Sequence, residues 1–235
     1  MTAKFPRLLP HGPLHPLAAG LWQVTGALPS LPYTRNMLVY RLRDGGLLIH
    51  SAVIMDDAGL AALEALGPPR LLLVPSGWHR RDAAFYKARY PHLRVLCPAG
   101  ARTRVQHVVP VDATCEEALP AEGIGWQHAA GTKPWELAYA LPLADGVALV
   151  VTDLLFNLPR GRGFRGWLLW RMGSSGFFGV TAIGRMAMMT DRPALAGWLE
   201  AQAVRRDIRV ISVAHGQAVT DNAARHLHEA AAWLR

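Results

Sequence analysis

The chain has 235 residues, of which 51% are hydrophobic and 18% charged, enough apolar material for a sizeable core and too much for a disordered chain. Its 25 basic and 17 acidic residues give a formal charge of +8, which permits attraction to anions, but no nucleic-acid partner is expected from charge alone. Two cysteines, Cys97 and Cys115, exclude a disulfide framework and a C-x-x-C pair, so a reduced, cytoplasmic setting is expected.

Residues 1–17 carry Pro6, Pro10, Pro13 and Pro16 and read as an extended arm without the apolar stretch of a signal peptide. Residues 18–235 read as one domain with an insertion at about 157–190. No window reaches the roughly 18 uninterrupted apolar residues of a transmembrane helix. Leu21–Val24, Asn36–Leu42 and Leu47–His50 predict three strands, the last two joined at Asp44-Gly45-Gly46. Asp56-Asp57 predicts the cap of a helix over Leu60, Leu63 and Leu66, stopped by Gly67-Pro68-Pro69. Leu71–Val74 predicts a short buried strand, broken at Pro75-Ser76-Gly77, with His79 and Asp82 at the start of a helix from about Arg81. A strand over Arg94–Cys97 and a helical turn over Ala99–Arg104 follow, and 105–123 reads as irregular.

Further on, Ile124–His128 and Leu137–Leu141 predict strands around a Gly131-Thr132-Lys133-Pro134 loop. Asp145-Gly146 turns into Val147–Thr152, closed by Asp153. After the insertion, Asp191 predicts an N-cap with Pro193 in the first turn of a helix to about Val204. Ile208–Val213 is the last strand, ended by Ala214-His215-Gly216, and a helix over about Thr220–Trp233 completes the chain. This order predicts two mixed sheets packed face to face with helices outside.

Three strands thus end close to a metal-ligand residue type, at His79, Asp153 and His215, and His with Asp suits zinc or iron. Each has a plainer reading. His79 can begin a helix, Asp153 can cap a turn, and Asp82 can pair with Arg80, Arg81 or Arg102. His50 and His128 fit structural histidines, and Glu136 fits a ligand or an ion pair.

The order of elements, with P-S-G-W-H-R-R-D, V-V-T-D-L and S-V-A-H-G, resembles the metallo-β-lactamase superfamily over roughly residues 18–220. The resemblance implies an α+β, four-layer αββα sandwich of the metallo-β-lactamase/ribonuclease Z-like kind. Its motifs are His-x-His-x-Asp-His after a buried strand, then Gly-His-Thr in a loop, an Asp ending a strand, and a His before Gly. Against these, Gly77, Arg81 and Asp82 stand where His, Asp and His belong, and Gly131 stands where the loop His would sit. Arg81 stays protonated and cannot act as a base.

The resemblance therefore implies at most one ion, zinc or iron, on His79, Asp153 and His215, with Asp82 a substitute ligand. Two expectations follow: a mononuclear metal-dependent hydrolase of an ester, thioester or phosphoester, or a non-catalytic binding module without metal. In the insertion, Arg160, Arg162 and Arg165 beside Trp167 and Trp170 suit a small anionic ligand. The same segment also fits a solvated amphipathic helix or contact with a membrane surface.

Overall fold

The computed structural model describes residues 5–29, 33–171, 173 and 175–235. They divide into two compact units, the described residues up to 125 and those from 126 on.

The first unit opens with β1 (His15–Ala18), β2 (Leu21–Ala27), β3 (Thr34–Arg41) and β4 (Leu47–His50), paired antiparallel in sequence order. Helix α1 (Asp57–Leu66) then crosses over to β5 (Pro69–Leu73), which pairs parallel to β4. Asp56 caps α1 by accepting from the Gly59 N–H at 2.8 Å, a contact typically worth about 1 kcal/mol. Leu60 and Leu63, one turn apart, are its buried face. A Leu63→Ala change would cost about 2–5 kcal/mol, because the fully buried side chain's contacts are lost and a cavity is left.

The crossover pattern repeats with α2 (Ala83–Arg89), β6 (Arg94–Cys97), α3 (Arg102–Gln106), β7 (Ala113–Thr114) and α4 (Cys115–Ala118). The result is a seven-stranded sheet in the order β1-β2-β3-β4-β5-β6-β7. Its parallel strands are buried on both faces, which is why Leu71-Leu72-Leu73 is a continuous apolar run rather than an alternating one. The stretch expected to be irregular, 105–123, is instead ordered by a capping box. Thr114 accepts from the Glu117 N–H while the Glu117 side chain accepts from the Thr114 N–H.

The second unit holds β8 (Gly125–Gln127), β9 (Ala138–Leu143), β10 (Gly146–Val150), β11 (Phe156–Leu158), α5 (Gly163–Arg171), β12 (Phe177–Gly179), α6 (Ala182–Met188), α7 (Arg192–Ala203), β13 (Ile208–Ser212), β14 (His215–Gly216) and α8 (Ala223–Ala232). One sheet runs β13-β10-β9-β8, with β9 and β10 a hairpin and β13 parallel to β10. A second, small sheet runs β12-β11-β14. Leu195 and Leu199 of α7 and Leu227, Ala230 and Ala231 of α8 bury against Leu149, Val151, Ile211 and Val213 in one core. Asp191 caps α7 through the Ala194 N–H at 3.0 Å, with Pro193 in the first turn where its missing N–H costs nothing. Among the described residues, no helix is long and apolar enough to cross a membrane.

Candidate functional site

In the first unit the parallel strands deliver their C-terminal ends to one edge of the sheet, where His50 ends β4, Ser51 follows it and His79 follows β5. Ser51 takes φ +57°, the left-handed region that a non-glycine residue enters at a cost of about 1 kcal/mol or more. Its N–H is tied to the Leu73 carbonyl at 3.0 Å, so the strained turn is held by β5 itself. This turn puts Ser51 Oγ 2.8 Å from His79 Nδ1, with both residues buried. When Nδ1 donates to that hydroxyl, Nε2 carries the lone pair a metal or a proton would need. His50, one residue back, is fully enclosed, and burial, reinforced by the His79 charge, pushes its pKa down to about 3. It is neutral across the physiological range.

Asp82 is also buried. Its Oδ2 accepts from the Arg35 guanidinium and, at 2.9 Å, from the Ile54 N–H, and Arg81 lies 3.3 Å from Oδ1. Arg35 comes from β3, and its own pKa is lowered by burial and raised again by Asp82. The carboxylate expected to substitute for a ligand is thus the anion of a buried ion pair. Gly77, where the resemblance places a histidine, has Arg104 folded over it, and an added Cβ would lie 2.7 Å from Arg104 Cδ.

In the second unit Asp153 and His215 come together. Asp153 Oδ1 and His215 Nε2 are 3.2 Å apart, and each residue is only 9% exposed. Phe156 stacks on the imidazole at 4.9 Å between centroids and 17° between planes, which fixes the ring orientation. Gly216, at φ +101°, lets β14 run directly under the Asn157 carbonyl, where a Cβ would sit 2.1 Å from the oxygen. A side chain after His215 would push the histidine off its strand.

The turn carrying Asp153 is gripped by Glu136. Glu136 Oε2 accepts from the Asp153 N–H at 3.0 Å, and Oε1 accepts from the Leu154 N–H at 2.9 Å. Burial and the neighbouring Asp153 charge push the Glu136 pKa up to about 8, against the pull of the N–H donors. Glu136 is therefore spent on positioning the Asp153 turn. The loop expected to match Gly-His-Thr offers no side chain at Gly131. That residue takes φ +75°, and an added Cβ would meet the Asp191 carbonyl oxygen at 2.1 Å. Its own carbonyl accepts from the Thr190 and Asp191 N–H groups at 2.8 and 3.1 Å. His128 packs edge-on to Trp126 instead.

The donors present, imidazole at His79 in the first unit and carboxylate with imidazole at Asp153 and His215 in the second, are of the kinds that hold zinc or iron. A ring nitrogen and a carboxylate oxygen converge at Asp153 and His215, and His79 has its Nδ1 held by the Ser51 hydroxyl, a partner that fixes ring orientation as the carboxylates and carbonyls behind metal-binding histidines do. Positions 77 and 131 are glycines, position 81 is arginine, and Asp82 is engaged by Arg35. Sequence reasoning missed Ser51 and Arg35. Ser51 directly follows His50 at a strand end, which was a usable signal; Arg35 lies 47 residues from its partner and gave none.

No family model matches the sequence, and no curated protein matches it. Solved structures do match in fold. A metallo-β-lactamase from Erythrobacter litoralis, solved with β-mercaptoethanol in its active site, is 15% identical, with a TM-score of 0.61 over 94% of this chain and 96% of that one. The FIM-1 metallo-β-lactamase from Pseudomonas aeruginosa, in a mono-zinc form, is 14% identical, with a TM-score of 0.62 over 97% of each chain. The DIM-1 metallo-β-lactamase is 12% identical, with a TM-score of 0.64 over 97% of this chain and all of that one. The chain has the metallo-β-lactamase fold, α+β with mixed sheets, as the sequence motifs implied.

Proposed function

We propose that this protein binds a single divalent metal ion, zinc or iron, through His79, Asp153 and His215, and hydrolyses an ester, thioester or phosphoester with it. The observation that carries the reading is the convergence of Asp153 Oδ1 and His215 Nε2 at 3.2 Å on a turn and a strand that are otherwise over-determined. The likeness to metallo-β-lactamases over nearly the whole chain supports adding His79, whose motif precedes the other two in the expected order.

A bound ion would supply the Lewis acidity and the acidified water that hydrolysis needs near neutral pH. The chain's own residues do the rest. Ser51 orients His79, Phe156 orients His215, and Glu136 holds the backbone from which Asp153 projects. Asp82, held by Arg35, contributes no free base, and Arg81 cannot provide one.

A non-catalytic module is the second reading, favoured by one observation: Asp153 Oδ1 and His215 Nε2 already lie at ion-pair distance, 3.2 Å, from each other. Metal analysis of the full chain purified without added metal separates the two, with His215→Ala alongside. One Zn or Fe per chain, lost in the variant, is the expected result. No stoichiometric metal, and no thermal shift on adding Zn, Fe or Mn, would leave only the module.

A further inference from the structure

The second unit carries a cavity that the metal chemistry does not use. It measures about 710 Å³, within the range of small-molecule sites, and is walled by Trp170, Phe177 and Trp233 and headed by Arg171, Arg185 and Arg192. We propose that this cavity binds an organic anion with an apolar body and a carboxylate or phosphate head.

The walls are partly exposed aromatics, Trp233 66% and Trp170 40%, each held by a neighbour. Phe177 stacks on Trp233 at 5.6 Å and 28°, and Trp170 is pinned from outside by the Arg160 guanidinium, 4.2 Å from its ring centroid. Gly176 has φ +82° and passes so close to Trp170 that a Cβ would lie 2.8 Å from the ring. Arg160, expected from the sequence to grip an anion, is occupied as this brace. Arg162 is exposed, and the side chain of Arg165 lies outside the described residues.

The charge pattern selects the head group. Three arginines share the cavity, and its described lining contains no carboxylate. Glu229, beside Trp233 in the adjoining depression, is paired with Arg225 at 3.0 Å. Arg185 donates to the Val180 carbonyl at 3.2 Å and Arg192 donates to the Leu234 carbonyl, so each is anchored through part of its fork and keeps other N–H groups to donate. Like charges gathered without a counter-charge repel, and an anion relieves that repulsion while an uncharged ligand does not. The aromatic walls then exclude a bare inorganic anion as the best occupant, because it would leave them wet.

The test is calorimetric titration of the full chain with decanoate, with decan-1-ol and inorganic phosphate as the body-only and head-only probes. Saturable binding of one decanoate is expected, at least tenfold tighter than either control. Arg171→Ser and Met186→Glu should each weaken it tenfold or more. Met186 is 84% exposed, so the added carboxylate enters the cavity rim without disturbing the core, and an unchanged thermal melt will confirm that. No saturable binding would overturn the proposal, as would binding unaffected by both variants or equal affinity for decan-1-ol. Binding to phosphatidylglycerol vesicles without binding to monomeric decanoate would also overturn it, and would make this face a membrane-surface contact.

Discussion

Glu136 hydrogen-bonds to the backbone that presents Asp153: one carboxylate oxygen takes the Asp153 N–H and the other takes the Leu154 N–H. The pair explains why a buried acid survives two residues before a strand of apolar and aromatic residues. Above about pH 8, where Glu136 is ionised, replacing it by Gln turns one of the two acceptors into a donor facing an N–H group. We expect a loss of about 1–3 kcal/mol in urea unfolding, the cost of a buried donor left without a partner. Metal affinity of the same variant should fall roughly 10–100-fold, the range found when groups that orient ligands are removed. Unchanged metal affinity in a folded Glu136→Gln protein would remove Glu136 from the site.

Arg35 and Asp82 form a buried pair that should be costly to break and cheap to replace. Arg35→Met removes the buried cation and leaves Asp82 only the more exposed Arg81 at 3.3 Å, and is expected to cost up to about 3–5 kcal/mol. The double variant Arg35→Met/Asp82→Leu should recover most of that loss, less what the orphaned Ile54 N–H costs. Chemical denaturation of both decides it; a double variant as unstable as the sum of the singles would mean the two residues act independently.

Gly131 predicts a failure. Installing histidine there, to supply the ligand that metallo-β-lactamase motifs carry, forces a side chain into a left-handed turn and onto the Asp191 carbonyl. The expected outcome is destabilisation of about 3 kcal/mol or more, read as a lowered melting temperature, with no gain in metal stoichiometry. A stable Gly131→His protein that binds a second ion would contradict the packing described here.

His50 sets an acid limit on stability. Its folded pKa is pushed down to about 3 while the unfolded imidazole titrates near 6.5, so the unfolded chain takes up the proton first. The stability it protects is complete above about pH 6.5 and is lost as pH falls from there towards 3, at about 1.4 kcal/mol per unit once well below 6.5. Unfolding free energies of the wild type and His50→Gln at pH 7.5, 5.5 and 4.5 should therefore converge as the acid side is reached. Parallel curves would show that His50 does not carry the dependence.

Much of this was written locally in the sequence. Asp44-Gly45-Gly46, the Asp56 cap and the Asp191-Arg192-Pro193 start each fix an element through contacts within a few residues, and they stand where expected. Thr114-Cys115-Glu116-Glu117 was equally local, and its capping-box spacing was there to be read in a stretch taken as irregular. Glu136 needed one further step. Continuing the hairpin register that pairs Leu143 with Gly146 and Tyr139 with Val150 brings Glu136 opposite Asp153. The Arg35–Asp82 pair and the packing around Gly77 and Gly131 depend on residues far apart in the chain, and no local pattern encodes them.

The small sheet β12-β11-β14 changes what the insertion is for. His215 sits on a strand two residues long whose ladder partner is β11, and β11 is in turn backed by β12 from within the inserted segment. Trimming residues 159–189 to a short connection would look like removing an ornament, since the sheet of β8, β9, β10 and β13 is untouched. It would instead strip β12 from β11 and leave the histidine's strand leaning on an unsupported edge. The segment is a splint, and any shortened version of this protein must carry a replacement for it.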